Sequence, residues 1–179
     1  MQSRFAMLLA GATVSLPLVV APAFAAGESG GGSSTTPTKC RTGLVYNSKT
    51  KKCETPKSGM IEDEDLYQAG RALAMDGKYD EAIKVLTLAA DKSDPRILNY
   101  LGYSHRKAGR VLVGLGYYQE ALRNDPDYTL VREYMGEAQL MLGDVAAARV
   151  QLSEIEKRCG KGCREYGMLA EQIEAYLRG

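Results

Sequence analysis

Tryptophan is absent from this chain, phenylalanine occurs twice, and histidine once, as His105. One histidine excludes a His-rich metal centre and makes a Ser-His-Asp triad hard to build. With so few large aromatics, a core has to be assembled from Leu, Ala, Val, Ile, Met and tyrosine. An excess of charge is missing too: 23 Lys and Arg face 22 Asp and Glu, a net charge of +1. Such a balance gives no global attraction to nucleic acid or to an anionic membrane. No HExxH occurs. Gly114-Leu115-Gly116 follows no strand pattern and lacks the further glycine of a phosphate loop. No catalytic residue, metal or cofactor is therefore expected.

The N-terminus reads as a targeting segment. Met1–Arg4 carries one positive charge, Phe5–Val20 carries none, and Ala23-Phe24-Ala25 has the small-x-small form of a cleavage site. Residues 1–25 are read as a signal peptide cut after Ala25. The apolar run contains Pro17, precedes Pro22 and falls short of the roughly 20 residues of a membrane span. With no later apolar run, the mature chain is expected to have no span and to be exported, to the periplasm or, alternatively, secreted. Residues 26–38, almost all Gly, Ser, Thr and Ala, read as a flexible linker.

Four cysteines remain, in two close pairs. Cys40 and Cys53 flank the apolar Leu44-Val45-Tyr46 and the turn-forming Asn47-Ser48-Lys49-Thr50. In an exported chain this predicts a disulfide-closed hairpin over 39–58, the bond stabilising it by about 3 kcal/mol. Its bases (Lys39, Arg41, Lys49, Lys51, Lys52, Lys57) face one acid, Glu54. A solvated clipped loop and a contact with an anionic envelope polymer both fit that charge. Cys159 and Cys163 enclose a Gly-rich turn and read as a second structural disulfide. A redox dithiol or copper site is the alternative, because a helix N-terminus favours thiolate.

The rest of the chain repeats. Gly70, Gly102 and Gly136 recur at intervals of 32 and 34, each followed seven residues later by Gly77, Gly109 or Gly143. Between them lie apolar residues at helical spacing: Leu66, Ala69, Leu73, Ala82, Leu86 and Ala89 in the first unit; Leu98, Leu101, Tyr118 and Ala121 in the second; Met135, Ala148 and Leu152 in the third. Glu62-Asp63-Glu64-Asp65 opens the first helix, where acids complement the helix dipole. Asp94-Pro95 gives an N-cap and a first-turn proline, and Asp125-Pro126 ends the second unit. Gly114 and Gly116 fall inside a helix, which either softens it or permits a close crossing. After the Cys-Gly turn, Tyr166, Leu169, Ile173, Tyr176 and Leu177 form a helical stripe.

A period near 34 made of two helices resembles the tetratricopeptide repeat family, here in an exported bacterial form. The resemblance implies an all-α helix-turn-helix solenoid of three repeats over 62–158. A cap helix follows within 159–179, and the disulfide-closed hairpin precedes the stack. It places His105 where the family packs a tyrosine. It also implies a non-enzymatic module that binds a protein or peptide on the face lined by each unit's first helix. Tyr67, Arg71, Asn99, Tyr103, Arg106, Lys107, Glu133 and Glu137 are the expected lining. The acids Glu133 and Glu137 depart from the basic clamp by which some members hold a C-terminal carboxylate. Three units are the smallest stack expected to be stable, which leaves dimerisation through an exposed edge open.

Overall fold

The computed structural model describes residues 40–179; the expected signal peptide and linker lie outside them. A short antiparallel hairpin comes first, β1 (Val45–Asn47) against β2 (Lys52–Glu54), with Tyr46 opposite Cys53. Helices follow in antiparallel pairs: α1 (Asp63–Met75) with α2 (Tyr79–Leu86), α3 (Pro95–Lys107) with α4 (Val111–Asn124), and α5 (Thr129–Met141) with α6 (Val145–Cys159). A single helix, α7 (Arg164–Arg178), closes the stack. The architecture is an all-α tetratricopeptide-like solenoid preceded by the disulfide-closed hairpin. No helix among the described residues is long and apolar enough to cross a membrane.

Each turn inside a pair is set by a glycine. Gly77, Gly109 and Gly143 have φ of +78°, +83° and +80°, a region that side chains disfavour. The same pair of bonds recurs at each: Lys78 N–H donates to Leu73 O and Gly77 N–H to Ala74 O, with equivalents at Arg110/Gly109 and Asp144/Gly143. These 6→1 and 5→2 bonds satisfy the last carbonyls of the helix. Asp94 caps α3 by accepting from Arg96 N–H at 2.8 Å, with Pro95 in the first turn. Asp125-Pro126 acts differently. Asp125 is extended, as the residue before a proline prefers, and α5 starts only at Thr129.

Small residues set how closely the helices approach. A Cβ on Gly70 would lie 2.4 Å from Leu86, and one on Gly102 2.5 Å from the Tyr118 ring. The corresponding Gly136 meets Leu169 of α7, at 2.6 Å, rather than Leu152 sixteen residues on. The cap helix therefore fills a place that α2 and α4 residues fill in the earlier units. Leu169 and Ile173 are buried beside Leu140, Ala148 and Ile155, whereas Tyr176 and Leu177, expected on the same stripe, stand largely exposed.

The hairpin shares the core of the first unit. Val45 and Ile61 are buried with Leu66, Ala82 and Leu86. The four acids at the start of α1 do more than complement its dipole. Glu62 pairs with Lys49, and Asp65 accepts from Ser48 N–H at 2.8 Å. Asp63 accepts from the N–H groups of Ala90 and Asp91, both at 2.7 Å, and Glu64 pairs with Arg96 at 2.8 Å. The run thus fastens the hairpin, the loop after α2 and α3 to one helix end. Both disulfides are local, Cys40–Cys53 and Cys159–Cys163, with Cα separations of 5.7 and 5.8 Å.

The two helix-interior glycines of α4 differ. A Cβ on Gly114 would sit 2.7 Å from the Gly102 carbonyl oxygen, whereas one on Gly116 meets nothing within 4 Å. Gly114 permits a close crossing; Gly116 only adds backbone freedom. Urea unfolding should show Gly116→Ala stabilising the chain by up to about 1 kcal/mol. Gly114→Ala should destabilise it by about 1–3 kcal/mol.

Candidate functional site

The first helices α1, α3 and α5 present residues in register. Tyr67, Asn99 and Glu133 occupy equivalent positions, and so do Arg71, Tyr103 and Glu137. A chain of tyrosine rings crosses this face. Centroids lie 5.9 Å apart for Tyr67–Tyr100, 6.2 Å for Tyr100–Tyr103 and 5.1 Å for Tyr103–Tyr134, in tilted or edge-on arrangements. Such geometry suits ring quadrupoles better than a face-to-face stack. Guanidinium groups line the rings: Arg96 over Tyr67 at 4.7 Å, Arg71 near Tyr100, and Arg106 5.5 Å from both Tyr103 and Tyr134. Arg71 Nε also donates to Tyr100 Oη at 3.0 Å.

The eight expected residues divide by access. Tyr67 and Tyr103 are half-buried, and Arg71 and Lys107 are exposed. Arg106 is only 3% exposed and is committed within the fold: Nη1 pairs with Glu137 Oε2 at 2.6 Å, and Nε donates to Tyr118 Oη at 3.3 Å. Burial works against its charge, but Tyr118 and Glu137 outweigh that and hold its pKa above the ordinary value. Asn99 and Glu133 have no exposed surface, and none of their four side-chain N and O atoms has a hydrogen-bond partner among the described residues. Those two side chains, expected on a solvated lining, are enclosed, because their helix positions turn inward between neighbouring units.

Glu133 is the most perturbed carboxyl of this face. Burial, then the charges of Glu137 and Glu165, push its pKa up to about 8, with Arg164 and Arg106 opposing weakly. Burial also raises the phenols of Tyr118 and Tyr134, and lifts Tyr128 to about 12. These tyrosines stay neutral throughout the physiological range.

Tyr100 and Tyr134 were not among the expected lining residues, yet they carry the ring chain between units. Their spacing of 34, equal to the repeat, was the available signal. His105 lies off this face, as a packing residue. Its ring stacks on Tyr117 at 5.4 Å, and Nδ1 accepts from Arg110 Nε at 2.9 Å. Burial and the Arg110 charge lower its pKa, which keeps that nitrogen an acceptor. At the far end, the Cys159 and Cys163 sulfurs are bonded to each other, with a Glu165 carboxylate oxygen within 4.8 Å. In that state neither offers a thiolate to a metal.

The tetratricopeptide repeat family profile matches residues 100–159. No curated protein sequence matches the chain. Solved structures share its fold. The first tetratricopeptide domain of Spaghetti (RPAP3), bound to the HSP90 peptide SRMEEVD, is 20% identical with a TM-score of 0.57, over 66% of this chain and 94% of that one. The Yersinia enterocolitica type III secretion chaperone SycD, in complex with a peptide of the translocator YopD, is 23% identical with a TM-score of 0.55, over 64% and 88%. PcrH, in complex with the chaperone-binding region of PopB, is 25% identical with a TM-score of 0.55, over 66% and 98%.

The raised Glu133 pKa has a consequence for stability. A carboxyl that titrates near about 8 when folded and near 4.5 otherwise leaves stability intact below pH 4.5 and removes it as pH climbs towards 8. Thermal melts should show wild type losing ground to Glu133→Gln over that interval. Parallel pH profiles would mean that Glu133 is not enclosed in the folded chain.

Proposed function

We propose that this protein is a non-enzymatic interaction module that holds a segment of a partner protein along the α1–α3–α5 face. The observation that carries the reading is the chain of tyrosine rings from Tyr67 to Tyr134, in which Tyr67, Tyr103 and Tyr134 are half-buried over the buried Tyr100, flanked by the accessible cations Arg71 and Lys107. Tyrosine offers large, stiff contact area with a polar tip, and arginine adds directed donors. A surface preorganised by ring–ring and cation–ring contacts loses little side-chain freedom when a segment docks on it. The solved structures that share the fold include several with peptides bound.

Export to the periplasm is part of the same proposal. It is supported by the charged-apolar-cleavable pattern of Met1–Ala25 and by pairing of all four cysteines within the chain. The basic hairpin is an integral end piece of the stack, since Val45 is buried and Lys49 is paired with Glu62.

Photo-crosslinkers placed at Tyr67 and Lys107, with Lys84 and Gln119 on second helices as controls, test the docking face in cells. One shared adduct should form from the first pair only. An adduct from the controls with none from Tyr67 or Lys107 would overturn the assignment. Tyr67→Ala combined with Arg71→Ala should weaken that partner about tenfold or more, because each removes an anchor of about 1 kcal/mol or above.

A further inference from the structure

We propose that the segment held on this face is acidic: it carries two carboxylate side chains, one received by Arg71 and one by Lys107, with apolar residues beside the second. The inference rests on the docking face just described and names the chemistry that face selects. Charge complementarity carries it. Arg71 and Lys107 are the exposed cations of α1, α3 and α5 that have no carboxylate partner among the described residues. Arg71 rests near the Tyr100 ring and donates to its hydroxyl, and Lys107 Nζ lies 5.9 Å from the Tyr103 ring centroid. Both rings hold a cation in place without neutralising it.

The acids of the same helices are already engaged or enclosed. On α1, Asp63 and Asp65 accept from backbone N–H groups, and Glu64 pairs with Arg96. α3 has no acid at all. On α5, Glu137 pairs with Arg106 and Glu133 is buried. A basic segment would therefore meet two like charges and no open carboxylate, whereas an acidic one meets two free donors.

Met75, Lys107 and Met141 occupy equivalent positions, each two residues before a turn glycine. The two methionines are 46% and 54% exposed, so this row presents a thioether on either side of the ammonium group. Methionine adapts its shape to varied apolar partners, which places apolar residues beside the second acid. Arg71 and Lys107 differ by one unit across the face and by one turn along it. Neighbouring helices about 9 Å apart and a turn of about 5.4 Å separate their positions by about 11 Å. In an extended segment, at about 3.4 Å per residue, the two acids fall three or four residues apart. The cations also follow successive rings, Tyr100 and Tyr103, with centroids 6.2 Å apart. They address two separate side chains rather than the two oxygens of one chain terminus.

Selection of a randomised twelve-residue peptide library on the full chain tests this without a known partner. Wild type should enrich Asp or Glu at two positions three or four residues apart. Arg71→Gln and Lys107→Gln should each weaken an enriched peptide about two- to fivefold, and each should erase the acidic preference at one of the two positions. Lys107→Glu should turn the preference at its position from acid to base, a gain that a folding defect cannot produce. Synthetic peptides with an amidated C-terminus should bind as the free acids do. Enriched peptides without the acidic pair, unchanged preferences on the variants, or binding lost on amidation would overturn the acidic assignment and leave the docking face standing. No enrichment, or enriched peptides that bind the Tyr67→Ala/Tyr103→Ala chain as tightly as wild type, would overturn the docking face and the assignment with it. Fluorescence anisotropy of an enriched peptide on wild type alone gives a readout independent of any variant. Affinity should fall severalfold as salt is raised from about 0.05 M to about 0.5 M, and a flat profile would overturn the proposal.

Discussion

The close crossing of α3 and α4 is the constraint on which the remaining structure depends. Gly102 leaves room for the Tyr118 ring, and Gly114 leaves room for the Gly102 carbonyl. Two backbones at that distance form a rigid pair, but such a pair cannot bury its flanks alone. Neighbouring units cover one flank each, and short ties recur between them. Asn124 Nδ2 donates to Ser93 O, and Arg158 Nε, one unit on, donates to Pro126 O. Stacking the pairs in this way brings α1, α3 and α5 side by side. It also places Tyr67, Asn99 and Glu133 in a row.

The ends of the stack are handled with different chemistry. At the start, a disulfide-closed hairpin contributes Val45 to the core and is fastened by acids of α1. At the other end, α7 pushes Leu169 against Gly136, and the Cys159–Cys163 bond fixes where that helix begins. Each device removes an apolar edge that three repeats by themselves would expose. The acidic run shows why burial and partners matter more than composition. Four adjacent carboxylates that look like one solvated patch in the sequence each meet a different group.

Much of this could be read from residue spacing, and what could not has identifiable reasons. The glycine triplets at 70/102/136 and 77/109/143 carry the fold, because only glycine suits a crossing or a positive φ there. The local cysteine pairs follow from short separations. By contrast, the sequence left Gly114 and Gly116 equivalent, and only the distance to the Gly102 carbonyl separates them. Docking of the hairpin on α1 was invisible, since Val45 and Ile61 are too few to form a pattern. On the candidate site, spacing named five residues that keep some exposure: Tyr67, Arg71, Tyr103, Lys107 and Glu137. It could not distinguish Arg106, held by Glu137, or Asn99 and Glu133, enclosed between units, from solvated neighbours at similar positions. That distinction depends on the rotation of each helix about its axis, which the one-dimensional repeat specifies only coarsely.

Taken together, the rings give the face its shape, and the Arg106–Glu137 pair holds two first helices together. The most direct test is a nuclear magnetic resonance titration of the isotope-labelled chain with a peptide selected on it from a randomised library. Docking along the first helices predicts shift changes concentrated at Tyr67, Arg71, Tyr103, Lys107 and Tyr134. Changes confined to α2, α4 and α6, or to the hairpin, would contradict the account.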